Sequence, residues 1–515
     1  MNSDKQSLRK DELLGHPKGL FVLFMTELWE RFSFYGMKAL LVFYLTKYHL
    51  FSDEASYLLI GSYAALVYAM PVIGGYLADN YLGFRRAIIF GAILLVCGHL
   101  GLAFEGNAAT KSMTGEIVRD DFALQVFYFS LSFIIMGVGF LKANISSLVG
   151  ELYEKGDNRR DSGFTIFYMG INLGAFLATI VCVWLGEEYG WGYGFGAAGI
   201  GMLFGLLTFI YGSRYFKGKG ESPNLAELNK VRFGIKTEYL IYLLSLLGIA
   251  IVWQMVQRHQ VVEYLLVISI ALSFIAILFF AFTQPDKVAR DRLFALLILI
   301  IFTIFFWALF EQAYSSLNLF ADRVIDLNVL GFELKAGWFL SLNSLFIITL
   351  APVFAWLWIK LGTKNPNTAV KFALALLLVG LGFGALVMGI GVAGASKVGA
   401  IFLVLTYLFH TMGELCLSPV GLSAVTKLSP GRIVGFMMGV WFLATAASEY
   451  LAVILAKLAA IDSVGEVADL ELAKDAYLKL FNLLFMIGVA SGILLLAISP
   501  IIKKLMHGVD KELNN

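Results

Sequence analysis

The stretch ELWERFSFYGMK puts Glu27, Glu30, Arg31 and Lys38 into a run that is otherwise apolar from Leu20 to Leu45. On a helix, Glu27, Glu30, Arg31, Phe34, Tyr35 and Lys38 stand at offsets 0, 3, 4, 7, 8 and 11, which is one face. Such a stripe offers two kinds of chemistry. Its cations can hold an anionic group, and its carboxylates can gain or lose a proton as the cation beside them or the access of water changes. A charged side chain at the centre of a bilayer costs about 2.5–3.5 kcal/mol on insertion scales, so these residues are expected to face a protein-lined or wet cavity. Lys142, Glu311, Glu414 and Glu449 are the other ionisable residues inside apolar segments. If Glu27 and Glu30 pair with Arg31, then Glu311 and Glu414 are the expected counterions of Lys38 and Lys142. Cations early in the chain and acids late in it describe a dipolar cavity suited to a zwitterion. Arg31 or Lys142 would hold its carboxylate and Glu414 its ammonium, and the same carboxylates would couple to protons. The mid-helix amides Asn172 and Asn343 could bond an ammonium or a peptide group. Tyr35, Tyr68, Trp307, Trp441 and Phe442 could wall the pocket.

The elements that must position these residues follow from composition. Of the 515 residues, 59% are hydrophobic and 15% charged, where a soluble domain carries about 25% charged. Fourteen apolar runs are long enough, at roughly 20 residues or more, to cross about 30 Å of hydrocarbon. Runs this long exclude a barrel and predict an all-α polytopic membrane protein. With the N-terminus placed in the cytoplasm, 26 of the 39 Lys and Arg fall in inner segments and ten in outer loops, so both termini are expected inside. The three left over are Arg31, Lys38 and Lys142. The basic loop containing KGKGESPNLAELNK separates six spans from eight. Six plus six resembles the ground plan of the major facilitator fold, two six-helix bundles, with two extra inserted helices. The expected division is a cytoplasmic segment 1–18, a bundle 19–215, a cytoplasmic linker 216–236, the inserted pair 237–283, a second bundle 291–503 and a cytoplasmic tail 504–515. The inserted pair, almost free of intramembrane charge, is expected at the periphery.

Other function classes lose their footing here. A net charge of +2 supplies no basic field for nucleic acid. Cys97, Cys182 and Cys416 are isolated in apolar segments, so no disulfide framework or metal site is expected. GSRYFKGKGE lacks the spacing of a nucleotide-binding loop, and no nucleophile–base set suggests an enzyme. No cofactor is expected, and energy is assigned to an ion gradient or to the solute itself, with no obligatory protein partner. Residues 1–18 are polar and the next run is too long for a cleaved signal, so that run is expected to be the first membrane helix. The glycines of GFGAAGIGMLFG (194–205) are expected to mark close helix packing. His410 reads as a packing histidine, and neither His99 nor Glu449 receives a role.

Taken together, ELWERFSFYG, GGYLADNYLGFRR, LKANISSLVGELY, FTIFYMGINLGAFLA, FWALFEQAYSSLNLFAD, SLNSLFIITLAPVFAWLW, GELCLSPVGLS and MMGVWFLATAASEY run the length of the chain. They resemble the proton-dependent oligopeptide transporter family, the peptide branch of the major facilitators, in its bacterial form with an inserted helix pair. The resemblance implies symport of dipeptides and tripeptides with protons by alternating access across a bacterial inner membrane. It places Glu27, Glu30, Arg31, Lys142 and Glu311 in proton coupling. Arg31, Lys142 and Tyr35 would engage the peptide carboxylate, and Asn172, Asn343 and Glu414 its amino end. Lys38 and Glu311 would join the binding set, and Tyr68, Trp307, Trp441 and Phe442 would form pocket walls. A related facilitator for nitrate or a drug-like solute is the alternative. This chain departs from the family signature at Phe34, where a tyrosine is usual, and at Lys38, where arginine is common and would hold a carboxylate through two bonds. The second span also lacks the histidine of animal members.

Overall fold

The computed structural model describes residues 12–154, 157–461 and 469–509. Residues 1–11 of the expected N-terminal segment and 510–515 of the expected tail lie outside the described residues. Among the described residues there are fourteen long helices. Helix α1 is Lys18–Phe43, extended by a π turn over Tyr44–Tyr48. Then follow α2 (Asp53–Leu82), α3 (Phe84–Leu102), α4 (Asp121–Glu151), α5 (Arg160–Tyr189), α6 (Trp191–Phe216), α7 (Thr237–Gln257) and α8 (His259–Phe282). The remainder are α9 (Lys287–Arg323), α10 (Ala336–Leu361), α11 (Thr368–Ala393), α12 (Ala400–Leu428), α13 (Gly431–Ala459) and α14 (Leu470–Leu505). The thirteen from α2 onward are long and apolar enough to cross a membrane among the described residues. Helix α1 has the length but carries the charged stripe. The fourteen spans of the sequence are therefore fourteen helices in an all-α membrane protein.

Capping residues set where several of these helices begin. Asp120 accepts from the Ala123 N–H ahead of α4, and Asp286 from Val288 and Ala289 ahead of α9. Asn367 and Asp469 do the same for α11 and α14. Each satisfies donors that the first turn leaves open. The Ala123 and Asn107 N–H groups that Asp120 accepts from hold its carboxyl below the usual carboxylate range.

Two compact units divide the chain. The first comprises Met1–Tyr44 and Ala69–Arg258; the second comprises Leu45–Tyr68 and His259–Asn515. This grouping differs from a cut at the 216–236 linker in two places. The N-terminal part of α2 belongs with the later helices, and the inserted pair is split, α7 in the first unit and α8 in the second. Helix α7 packs on α4, whereas α8 packs on α9 and α13.

In the first unit, α1 lies between α5 and α6, and α3 packs on α4. Small residues make the approach to α1 possible. A Cβ on Gly174 of α5 would run into the Leu28 carbonyl oxygen and come within 3.2 Å of the Arg31 Cβ. The glycines of 194–205 mark close helix packing as expected, Gly201 lying against Phe32 and Gly205 against Trp29 of α1, and Gly199 against Leu100 of α3. Gly174→Val should push α5 away beside Arg31 and cost about 1–3 kcal/mol. Thermal unfolding of the purified protein in detergent reads this, and an unchanged midpoint would contradict the packing. A short hairpin before α1 is tied to the α4–α5 turn. Arg159 donates to Glu12 Oε1 and the Gly15 carbonyl, both at 2.9 Å, and His16 Nδ1 lies 2.8 Å from the Tyr153 hydroxyl. The three helices that carry Arg31, Lys142 and Asn172 are thereby fastened at one end.

In the second unit, α11 packs on α12 and α14, and α9 on α13. Helix α9 is not continuous. It is helical over Lys287–Phe310, tightens to a 3-10 turn over Glu311–Tyr314, leaves helical geometry at Ser315 and resumes over Ser316–Arg323. Arg323 makes two bonds to Asp53 of α2, at 2.6 and 2.7 Å, and Asp53 Oδ2 also accepts from the Ile461 N–H at 3.0 Å. The pair is 270 residues apart in sequence.

Candidate functional site

In the first unit the stripe on α1 is buried: Glu27, Glu30, Arg31, Phe34 and Lys38 are all closed off from solvent. Arg31 binds Glu30 through two atoms, its Nη2 donating to Oε1 at 2.7 Å and its Nε to Oε2. Its Nε also lies 3.3 Å from Glu27 Oε1, one helical turn away. The guanidinium fork is therefore taken up by a carboxylate already on its own helix, in the arrangement that makes arginine–carboxylate pairs strong. The second oxygen of Glu27 is buried without a hydrogen-bond partner among the described residues. Phe34 and Tyr35 set their rings 5.1 and 5.8 Å from the Arg31 guanidinium carbon. Phe34 thus gives up a hydroxyl but keeps a π face for the cation.

Lys142, half-buried on α4, lies within electrostatic reach of Arg31, Glu30, Glu27 and Lys38. Glu30 and Glu27 are thus acids of its own unit that act on its charge. Asn172 turns its amide back to the Tyr168 carbonyl of α5 at 3.1 Å. That leaves its side-chain oxygen, an acceptor, to be offered to a donor.

The second unit holds the other expected residues. Asn343 on α10 donates to Glu414 Oε2 on α12 at 2.9 Å and lies 3.1 Å from the Thr411 hydroxyl. Glu311, half-buried at the break in α9, is close enough for its charge to act on Glu414. Trp307, one turn earlier, meets Phe306 and Phe310 edge to face, each with ring centres 5.2 Å apart. Trp441 on α13 lies over Gly421 of α12, Phe442 beside it is half-buried, and Tyr68 closes the part of α2 that belongs to this unit. His410 sits between the Phe310 and Phe383 rings, at 6.0 and 4.9 Å, as a packing residue would. Glu449 is buried on α13.

The expected residues therefore gather into two sets. Glu27, Glu30, Arg31, Tyr35, Lys38, Lys142 and Asn172 are in the first unit; Tyr68, Trp307, Glu311, Asn343, Glu414, Trp441 and Phe442 are in the second. Chemically, the first set can exchange one carboxylate for another at a buried guanidinium. The second can accept a cationic donor at a carboxylate already oriented by an amide. Sequence reasoning missed Thr411, which stands three residues before Glu414 and so on the same helix face. It also missed the Asp53–Arg323 pair, for which no local spacing gives a signal. Among the described residues no group of His, Cys, Asp or Glu is arranged to hold a metal ion.

Comparison with known proteins places this geometry. The model of the POT family matches residues 85–468. The peptide transporter YePEPT of Yersinia enterocolitica is 38% identical over 84% of this chain and 86% of its own. The di-/tripeptide transporter of Lactococcus lactis subsp. cremoris is 35% identical over 98% of this chain and all of its own length. Among solved structures, that of a peptide transporter POT in complex with sulfate superposes with a TM-score of 0.79 at 37% identity, covering 96% of this chain and 97% of that one. Identity at this level over nearly the whole length, on a matching helical architecture, is what common descent leaves behind. The chain belongs to the POT family.

Proposed function

We propose that this membrane protein imports dipeptides and tripeptides together with protons across a bacterial inner membrane by alternating access, with both termini in the cytoplasm. The observation that carries the reading is the Glu30–Arg31 pair. A peptide carboxylate needs the same guanidinium fork that Glu30 occupies. A proton on Glu30 removes the competing charge and frees the fork, so substrate and proton favour one another through a shared arginine. Such reciprocity is what coupling between two ligands requires. Lys142 adds a second cation at the carboxylate end. In the other unit, Glu414 oriented by Asn343 is a receptor for an ammonium, and Glu311 is the further carboxylate available to a proton. A free peptide supplies one group for each kind of receptor.

Energy comes from the proton gradient, aided by an inside-negative potential worth about 2.3 kcal/mol per charge per 100 mV. The excess of Lys and Arg in the inner segments supports the orientation. The relatives named as peptide or di-/tripeptide transporters support the substrate class.

Competition against labelled dialanine in proteoliposomes tests the substrate. Unlabelled dialanine should compete fully, while N-acetyl-dialanine and dialanine amide, each missing one charged end, should compete about tenfold or more weakly, as expected when a buried charge is left without its partner. Nitrate that competes as well as dialanine would overturn the peptide reading in favour of an anion facilitator.

A further inference from the structure

The interruption in α9 leaves Glu311 on a single 3-10 turn between two helical pieces, Lys287–Phe310 and Ser316–Arg323. A turn of that kind lacks the regular ladder that holds a helix in one geometry, so something else must set its orientation. Gln312, the next residue, is fully buried and makes three bonds with its side chain. Its Nε2 donates to the Ala452 carbonyl of α13 at 2.7 Å and to the Ala308 carbonyl at 3.3 Å, and its Oε1 accepts from the Ser316 hydroxyl at 2.5 Å. One amide thus spans the break from Ala308 on one side to Ser316 on the other, and fastens both to a second helix. Its neighbour Glu311 is half-buried.

We propose that Gln312 is the positioning residue for Glu311. It holds the broken turn against α13, so that the Glu311 carboxylate is presented in one orientation when it takes up or gives up its proton. This rests on the reading of Glu311 as a proton carrier. The side chain of Gln312 has no titratable group and its donors are both engaged, so it acts through geometry. In an apolar interior, the bond to Ala452 has no water to replace it, and the turn cannot swing without losing it.

The test compares Gln312→Met, which keeps length and volume but loses every bond, with Glu311→Gln in proteoliposomes. Two quantities are measured: accumulation of labelled dialanine as external pH is varied, and counterflow exchange without a gradient. Gln312→Met should keep counterflow within about twofold. Its gradient-driven accumulation should fall about fivefold to tenfold, the size of effect that loss of an interhelical bond gives. The midpoint of its pH profile should move by about half a unit or more. A wild-type pH profile, or equal losses of accumulation and exchange at an unmoved midpoint, would overturn the proposal and leave Gln312 a packing residue. If Gln312→Met does not reach the membrane, Ser316→Ala removes one bond and spares the one to Ala452. It should move the midpoint in the same direction by less, and no movement overturns the proposal. Glu311→Gln that still accumulates dialanine like wild type would overturn the proton role of Glu311 itself, and the inference with it. Glu311→Gln that fails while Gln312→Met behaves as wild type overturns the inference alone.

Discussion

Arg31→Ala should abolish gradient-driven uptake of dialanine and also destabilise the protein. The guanidinium holds Glu30 through two atoms and reaches Glu27 at 3.3 Å, and all three side chains are buried. Removing it takes the guanidinium from two buried carboxylates and leaves them the more distant charge of Lys142. Breaking a buried ion pair from one side costs about 3–5 kcal/mol, because the remaining charge has nothing in place of water. The exchange of one carboxylate for another at Arg31 would be gone. Arg31→Lys separates the two consequences. It keeps a positive charge near the acids and so should recover much of the stability. It loses the planar fork, so dialanine affinity should still fall about tenfold or more. Thermal unfolding together with concentration-dependent uptake distinguishes them. An alanine variant with wild-type stability and transport would show that the cluster is neither compensated nor used as described.

Arg323→Ala is the second large effect. Asp53 is 3% exposed and takes two bonds from Arg323 and one from the Ile461 N–H. Without the arginine it is a buried carboxylate with one neutral donor, and the loss should again be about 3–5 kcal/mol. Asp53→Asn alone should cost less, since an amide can still accept from Ile461 and from Arg323. The double variant Asp53→Asn with Arg323→Ala should be more stable than Arg323→Ala alone, which a double-mutant cycle on the unfolding midpoint measures. The charge swap Asp53→Arg with Arg323→Asp should not rescue, because the Ile461 N–H needs an acceptor at position 53. A swap that restores full stability would contradict this account.

Much of this was legible in the sequence, for identifiable reasons. Apolar runs must be helices in lipid, so fourteen runs became fourteen helices. The stripe on α1 was legible because helical spacing is local, and the buried Glu30–Arg31–Glu27 cluster is made within five residues of one helix. The Asn343–Glu414 pair was anticipated as a shared function and is a direct bond. What escaped the sequence is pairing between segments far apart. Arg323 and Asp53 carry no local spacing that would pair them, yet they bind one another across 270 positions. Nor did the sequence signal the interruption of α9, because no glycine or proline marks Glu311–Ser315; side-chain bonds from Gln312 hold it. The membership of Leu45–Tyr68 in the second unit was hidden for a similar reason. Chain order puts that segment with the first six helices, while its charged residues bind the last ones.

The central claim is that protons and peptides move together through this chain. Its most direct measurement is the accumulation of labelled dialanine in proteoliposomes with acid imposed outside, with and without a protonophore. The account predicts an overshoot above the equilibrium level that the protonophore removes, and none in Glu311→Gln. Accumulation that persists undiminished when the protonophore has collapsed the gradient would contradict it.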